Sequence, residues 1–82
     1  MKKYCLLSNG QIESCYYLDR SGRLSDIQRP IKKEKDGWYI NIGVFAHSTY
    51  ITTWYKIIKF ADSKEELINA SFKNHSNNLH GH

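Results

Sequence analysis

The most distinctive chemistry-bearing residues of this 82-residue chain are clustered cations. Residues 20–35 contain only two acidic side chains, Asp26 and Glu34. The same segment contains six basic side chains: Arg20, Arg23, Arg29, Lys32, Lys33 and Lys35. The charge of this basic segment (residues 20–35), +6 − 2 = +4, equals the formal net charge of the whole chain. A local positive field attracts polyanions and acidic protein faces, so the basic segment is the first candidate binding site.

Aromatic side chains flank the basic segment. Trp38 and Tyr39 follow it, and Tyr17 precedes it. Cations that neutralise phosphates beside aromatic stacking platforms are typical of single-stranded nucleic-acid binders. Tyr17 and Tyr39 could equally anchor a protein–protein interface. Arginines beside an aromatic ring could also hold a nucleotide messenger, and the same residues could form only a solvated loop and a charged edge strand.

Residue sets typical of catalysis are missing from the sequence. Neither cysteine has a neighbouring histidine, no two acids are adjacent apart from Glu65-Glu66, and no glycine-rich phosphate loop is present. We therefore expect no enzymatic activity and no cofactor. His75, His80 and His82 could gather around a transition metal, but no cysteine or acid lies near them in sequence, so we expect a solvated tail without a metal site.

The elements that must position these residues begin with a hairpin. Asn9-Gly10 predicts a two-residue type I′ turn, which would pair Cys5 with Ser14 and place Cys15 opposite Tyr4 on the other face. A one-residue bulge at the turn is the alternative, and it would set Cys5 across from Cys15. In the first register the thiols stay apart and unbridged, and the core face carries Cys5, Leu7, Ile12, Tyr16 and Leu18.

The middle of the chain predicts a loop, then a second hairpin. Residues 19–30 are polar and end in a proline, and within them Leu24 and Ile27 could seat one helical turn. Residues 31–35 and 38–44 flank Asp36-Gly37 and predict two strands, the first a charged edge strand. Residues 50–60 predict a long central strand, and His47 falls in the connecting loop.

A capping box at Ser63-Lys64-Glu65-Glu66 predicts a C-terminal helix whose apolar side includes Leu67, Ile68 and Phe72. The predicted fold is α+β: a four- or five-stranded, mainly antiparallel sheet, as a meander or half-open barrel, with this one helix. Residues 1–73 would form the single small domain, and residues 74–82 a polar tail.

The aromatic residues divide into a predicted core set and a predicted surface set. A domain this small has a thin core and needs large side chains to fill it. We therefore expect the larger aromatics to be buried: Trp38, Trp54, Phe45, Phe60 and Phe72. Alternation along the strands places Tyr4, Tyr17 and Tyr39 on the surface.

The two ends of the chain resemble a known class of proteins. Residues 2–12 (KKYCLLSNGQI) form an opening strand with an Asn-Gly turn, and residues 55–68 (YKIIKFADSKEELI) form a last strand and an acidic capped helix. This layout is similar to that of small uncharacterised phage and prophage proteins of low-GC Gram-positive bacteria. The resemblance implies an accessory or host-interfering protein that acts by binding, and it implies no catalytic or ligand residues.

The leading functional hypothesis is a non-enzymatic binding protein, phage-encoded, that docks on a host or defence protein through the basic segment and exposed tyrosines. The alternatives are a single-stranded or non-specific nucleic-acid binder and a protein that sequesters a nucleotide messenger. A homodimer formed by edge-strand pairing would also fit the charged edge strand. Lys2-Lys3 begins like a secretory signal, but the apolar run after it ends at Leu7, and no apolar stretch approaches the ~20 residues of a spanning helix. We therefore expect a cytoplasmic protein with reduced thiols and no membrane partner.

Overall fold

The computed structural model describes residues 2–70 of the chain. Within them residues 64–70 form a helix, α1, and the remaining regular structure is β. The strands are β1 (Tyr4–Leu7), β2 (Ile12–Ser14), β3 (Tyr16–Leu18), β4 (Leu24–Gln28), β5 (Ile31–Glu34), β6 (Gly37–Ala46) and β7 (Thr49–Ala61). This α+β arrangement confirms the predicted fold class.

Five of the strands form one antiparallel sheet in the order β2-β1-β7-β6-β5. The long strand β7 is central, as predicted, with β1 on one side and β6 on the other. Because β1 pairs with β7, the sheet is not a simple meander. Strands β3 and β4 form a separate two-stranded ribbon.

The register of the first hairpin differs from the prediction. Tyr4 pairs with Ser14, one residue away from the predicted partner. The N–H of Gly10 donates to the carbonyl of Leu7 at 2.9 Å, and Gly10 has a φ of 90° while Asn9 has no positive φ. This is a type I turn followed by a left-handed glycine, so Asn-Gly supplies one positive φ where a type I′ turn needs two.

The new register changes which residues share a face of the sheet. Cys5 and Cys15 lie in one buried cluster with Leu7, Ile40 and Ile57, so the prediction that the thiols lie on different faces is wrong. Both cysteines are free. Two of the residues predicted to lie on the core face with Cys5 do not lie in that core. Leu18 is 54% exposed, and Ile12 packs on the opposite face against the cluster of Leu6, Ala61 and Leu67.

The segment predicted as a loop at residues 19–30 contains strand β4. Leu24 pairs with Leu18 across the ribbon, so the helical turn predicted at Leu24 and Ile27 does not form, and Ile27 is exposed. The carboxylate of Asp19 accepts hydrogen bonds from the backbone N–H groups of Ser21 and Arg23, at 2.8 and 3.0 Å. These bonds close the turn between β3 and β4. The polar residues around Asp19 therefore belong to the turn of a hairpin and not to a long loop.

The second predicted hairpin is present, with its loop one residue earlier than expected. Glu34 pairs with Gly37, so Lys35 and Asp36 form the loop. Gly37 has a φ of 132° and begins β6. As in the first hairpin, the glycine after an Asx residue provides a single left-handed position at the start of the returning strand.

Strands β6 and β7 extend well beyond their neighbours. β5 pairs with β6 only as far as Ile40, and β1 pairs with β7 only from Ile57 onward. Residues 42–53 therefore form a two-stranded arm, here called the distal ribbon, which contributes to a longest molecular dimension of 44 Å over the described residues. His47 and Ser48, with φ angles of 52° and 64°, form the tight turn at its tip.

The helix begins as the capping pattern predicts. The backbone N–H of Glu66 donates to the hydroxyl of Ser63 at 3.3 Å. Leu67 is fully buried against Leu6 and Ala61, while Ile68 is 52% exposed. Within the described residues, the helix therefore covers the end of this face around Leu6 and Ala61. The predictions for Phe72, for the three C-terminal histidines and for the domain boundary at residue 73 lie outside the described residues.

Candidate functional site

The structure divides the basic segment among different parts of the molecule. Arg20 lies in the β3–β4 turn, and Arg23 immediately precedes β4. Lys32 and Lys33 are consecutive residues of β5 and therefore point to opposite faces of the sheet, and Lys35 lies in the next turn. The six cations do not share one surface, and each must be considered with its own neighbours.

Lys32 lies on the same face of the sheet as Leu6, against which the helix packs, but away from the part that residues 64–70 cover. We call this uncovered part the open face, and it carries Lys32, Tyr39, Trp54 and Lys56. The ammonium group of Lys32 lies 4.2 Å from the ring centroid of Trp54, which is 41% exposed. The same ammonium group lies 3.2 Å from the carboxylate of Glu34. Cation–π contact and ion pairing together hold Lys32 over the indole, so this aromatic platform already has a cation on one face.

Tyr39 lies beside Lys32 on the same open face, where both pair across β5 and β6. Its hydroxyl donates to Asp36 at 2.7 Å, and the ammonium group of Lys56 lies 3.5 Å from the same carboxylate. The hydrogen bond from Tyr39, followed by the charge of Lys56, lowers the pKa of Asp36, and the bond to Asp36 raises the pKa of Tyr39. This triad neutralises one lysine of the open face and fixes the tyrosine ring.

The opposite face carries a second cation–aromatic pair. The ammonium group of Lys33 lies 5.6 Å from the ring centroid of Trp38, and Trp38 meets Phe60 edge-on at 6.2 Å. A third pair lies off the sheet, where the guanidinium of Arg29 is 5.6 Å from the ring of Tyr17. Sequence reasoning correctly associated the cations with aromatics but did not find that they belong to separate surfaces.

The distal ribbon carries four exposed large apolar side chains, and sequence reasoning missed this surface. Its apolar side chains are open to solvent: Phe45 is 79% exposed, Val44 57%, Tyr50 55% and Ile51 47%. The prediction that Phe45 is buried is wrong, because no further strand of residues 2–70 pairs with the ribbon at that point. The same prediction is wrong for Trp38 and Trp54, which are 39% and 41% exposed. A sequence signal was present, since residues 37–55 contain no aspartate, glutamate, lysine or arginine.

Two aromatic rings give the distal ribbon a defined surface. Phe45 and Tyr50 are cross-strand partners, and their ring centroids lie 5.2 Å apart. The ring of Tyr50 lies over Gly43, in space that a Cβ atom at that position would occupy. An aromatic ring that covers a strand glycine shields exposed backbone and holds its own orientation. The two rings are therefore arranged before any partner binds.

The two thiols form the reactive group most deeply placed in the core. Both cysteines are fully buried in one cluster. Interaction with the thiol of Cys15, together with burial, raises the pKa of Cys5. The same interaction, aided by the charge of Arg29, lowers the pKa of Cys15. No group of three or more metal-binding side chains occurs among residues 2–70.

No helix in the described part of the chain is long and apolar enough to cross a membrane. Comparisons with protein-family models, with curated proteins and with solved structures find nothing that matches this chain. Among the surfaces described above, the distal ribbon carries four exposed large apolar side chains, and Lys32 on Trp54 adds positive charge at its base.

Proposed function

We propose that this protein is a non-enzymatic binding protein that docks on a partner protein through its distal ribbon. The observation that carries the proposal is the solvent exposure of Val44, Phe45, Tyr50 and Ile51 on an arm without charged side chains. The register places Phe45 with Tyr50 on one face of the ribbon and Val44 with Ile51 on the other. Each face therefore carries a pair of exposed apolar side chains, and exposed apolar surface of this kind marks interaction sites. Aromatic residues are also the side chains that contribute most at the centre of protein interfaces.

The arrangement of the ribbon suits docking in a second way. Tyr50 covers Gly43 and packs against Phe45, so less side-chain freedom is lost when the ribbon binds. The outer edges of residues 42–46 and 49–53 also lack a ladder partner within residues 2–70. A partner could therefore add a strand to either edge while receiving the two rings in an apolar groove.

The surroundings of the ribbon indicate the charge of the partner. The ammonium group of Lys32 lies over Trp54, which is adjacent to the base of the ribbon. Lys33 lies beside Trp38 on the opposite face of the sheet, farther from the ribbon. A groove with an apolar floor and acidic margins would complement both the rings and these cations. The resemblance of the chain ends to small phage proteins favours a host or defence protein as the partner, in the cytoplasm of the host cell.

The second candidate function is single-stranded nucleic-acid binding on the open face. The stacking of Lys32 on Trp54 favours it, because nucleic-acid binders place cations and aromatic platforms together. A base that stacks on that face of Trp54 must first displace Lys32, and Lys56 is already paired with Asp36. Fewer cations are then free for phosphate on this face, so protein docking is the better supported function.

Affinity capture with tagged variants tests the docking proposal. Phe45→Ser removes the most exposed ring of the ribbon, and Ile58→Ser is the matched control because Ile58 is 60% exposed on β7 outside the ribbon. We expect one host protein to be retained by the wild type and by Ile58→Ser and lost with Phe45→Ser. The captured protein, once purified, should bind the wild type in solution with the same dependence on Phe45.

Two results would contradict protein docking through the ribbon. One is equal retention by Phe45→Ser and the wild type, which would place the interface elsewhere. The other is tight binding of a single-stranded oligonucleotide that weakens steeply as salt rises and weakens further in Trp54→Ala, which would favour the open face as a nucleic-acid site. Fluorescence anisotropy with DNA and RNA oligonucleotides measures this second outcome directly.

A further inference from the structure

A cavity of about 350 Å³ lies between the first hairpin, the β3–β4 ribbon and the start of the helix. It is distinct from the distal ribbon and shares no residue with it. Arg23, Arg29 and Lys64 line it together with Tyr4 and Glu13, and Leu18 and Leu24 provide apolar wall. Its volume is within the range of pockets that hold small organic ligands.

The charge around this cavity is positive. Three cations and one carboxylate line it, which gives +3 − 1 = +2. Arg23 immediately precedes β4, Arg29 immediately follows it, and Lys64 begins α1. Only the fold brings the three cations together. Asp19, in the adjacent turn, accepts hydrogen bonds from Ser21 and from the backbone of Arg23, and these bonds commit its carboxylate to the turn.

Among the lining residues, Arg29 gives the strongest indication that the cavity binds a ligand. Its Nε atom is buried and has no hydrogen-bond partner within residues 2–70. A buried donor on a charged group costs free energy unless an acceptor satisfies it. The residue is also held in place, because its backbone N–H donates to the carbonyl of Cys15 at 2.9 Å and its guanidinium lies 5.6 Å from the Tyr17 ring. The guanidinium is therefore oriented before any anion arrives.

We propose that this cavity binds the phosphate group of a small phosphate monoester. A guanidinium binds phosphate oxygens with two parallel hydrogen bonds, and a lysine adds a point charge. Arg29 and Arg23 provide the fork-shaped donors, and Lys64, 5.7 Å from the ring of Tyr4, provides the ammonium group. The organic part of the ligand lies against Leu18 and Leu24, where the carboxylate of Glu13 can accept a hydrogen bond from a ligand hydroxyl.

Binding of adenosine 5′-monophosphate, inorganic phosphate and uncharged adenosine tests the assignment. A ligand that binds only the folded protein raises its melting temperature. We expect the melting temperature to rise with adenosine monophosphate and, less, with phosphate, and to stay unchanged with adenosine at the same concentration. Titrations followed by amide chemical shifts should move the signals of Arg23 and Arg29 and leave those of the distal ribbon in place.

Substitution of one arginine distinguishes a built pocket from general charge. Arg23→Gln removes a lining cation, and Arg20→Gln removes the same charge three residues earlier, from a position outside the lining. We expect Arg23→Gln to weaken adenosine monophosphate binding about tenfold, or about 1.4 kcal/mol, and Arg20→Gln to leave it within about twofold. Arg29→Lys, which keeps the charge without the fork, should weaken it as well.

The assignment is overturned if millimolar phosphate and adenosine monophosphate leave both the melting temperature and the chemical shifts unchanged. It is equally overturned if Arg20→Gln and Arg23→Gln weaken binding to the same extent, because the attraction would then come from the general field of the protein. Both arginine variants change exposed side chains, so both should fold. Neither outcome bears on docking through the distal ribbon, which uses other residues.

Discussion

Cys5 and Cys15 lie together in one buried cluster of the core. Interaction between the two thiols raises the pKa of Cys5 and lowers that of Cys15, because the S–H group of Cys5 stabilises a thiolate at Cys15. The charge of Arg29 favours the same thiolate. The register of the first hairpin, in which Tyr4 pairs with Ser14, is what places the two cysteines on the same face of the sheet.

Removing one thiol should therefore change the pKa of the remaining one, and the direction of the change should differ between the two single variants. Cys5→Ala should raise the pKa of Cys15, because the interaction with Cys5 that stabilises its thiolate is lost. Cys15→Ala should lower the pKa of Cys5, although burial still holds it above that of an exposed thiol. Ultraviolet absorbance of the thiolate against pH measures both. Two variants that titrate as the wild type does would show that the two thiols do not interact.

We expect that the turn at the tip of the distal ribbon can be stabilised by substitution. His47 and Ser48 both have positive φ angles, which cost non-glycine residues free energy. His47→Asn combined with Ser48→Gly installs the pair that adopts a type I′ turn most readily and should stabilise the protein by roughly 1 kcal/mol. Urea unfolding checks the change. As a control, Ser8→Gly, at a turn position without positive φ, should not stabilise, and equal gains from both changes would contradict the explanation.

The position of Tyr50 over Gly43 predicts an energetic coupling between them. Gly43→Ala places a methyl group where the ring lies, so the ring must move and its contact with Phe45 is disturbed. We expect a loss of about 1 kcal/mol, since Tyr50 is half exposed and can swing outward. In a Tyr50→Ala background the same change should be neutral or stabilising, because alanine suits a strand better than glycine does. Simple additivity in a double-mutant cycle would rule out the coupling.

The hydrogen bond from Tyr39 to Asp36 predicts how the stability of the protein depends on pH. The folded state lowers the pKa of Asp36 below its ordinary value of about 3.9, so the contribution of this carboxylate is present above that pH and is lost as the pH falls. Tyr39→Phe removes the donor and should raise the pKa of Asp36, which NMR titration of the carboxyl carbon measures. Tyr17→Phe, which removes a hydroxyl elsewhere, should leave it unchanged. A normal Asp36 titration in the wild type would contradict the bond.

The elements of the fold were largely predictable from local patterns. The long strand β7, the strands of the second hairpin and the cap at Ser63 were predicted correctly because β-branched alternation and capping chemistry act between neighbours in sequence. The errors concern register and turn type. Asn-Gly and Asp-Gly satisfy both a type I′ turn and a type I turn with a left-handed glycine, and the two differ by one residue in register. One residue is enough to move every side chain of β2 to the other face.

The candidate surfaces were less predictable than the fold. The sequence located the basic segment, but only the structure shows that Lys32 and Lys33 serve different faces and that Arg23 and Arg29 meet Lys64 at one cavity. Burial of Phe45 was predicted from its size and composition alone. Its exposure depends on how far β6 and β7 extend beyond the strands that flank them, and local patterns do not report that length.

The sequence by itself determined that the chain is a small β-rich domain with a capped helix, a concentration of cations and a charge-free aromatic stretch. These features follow from residue types and from spacings of two to four residues, which set local backbone preferences. Only the tertiary structure decided that the two thiols meet, that the cations divide among separate surfaces and that the aromatic stretch projects as an arm. Those relationships depend on strand order and on register between residues far apart in the chain, which long-range packing selects.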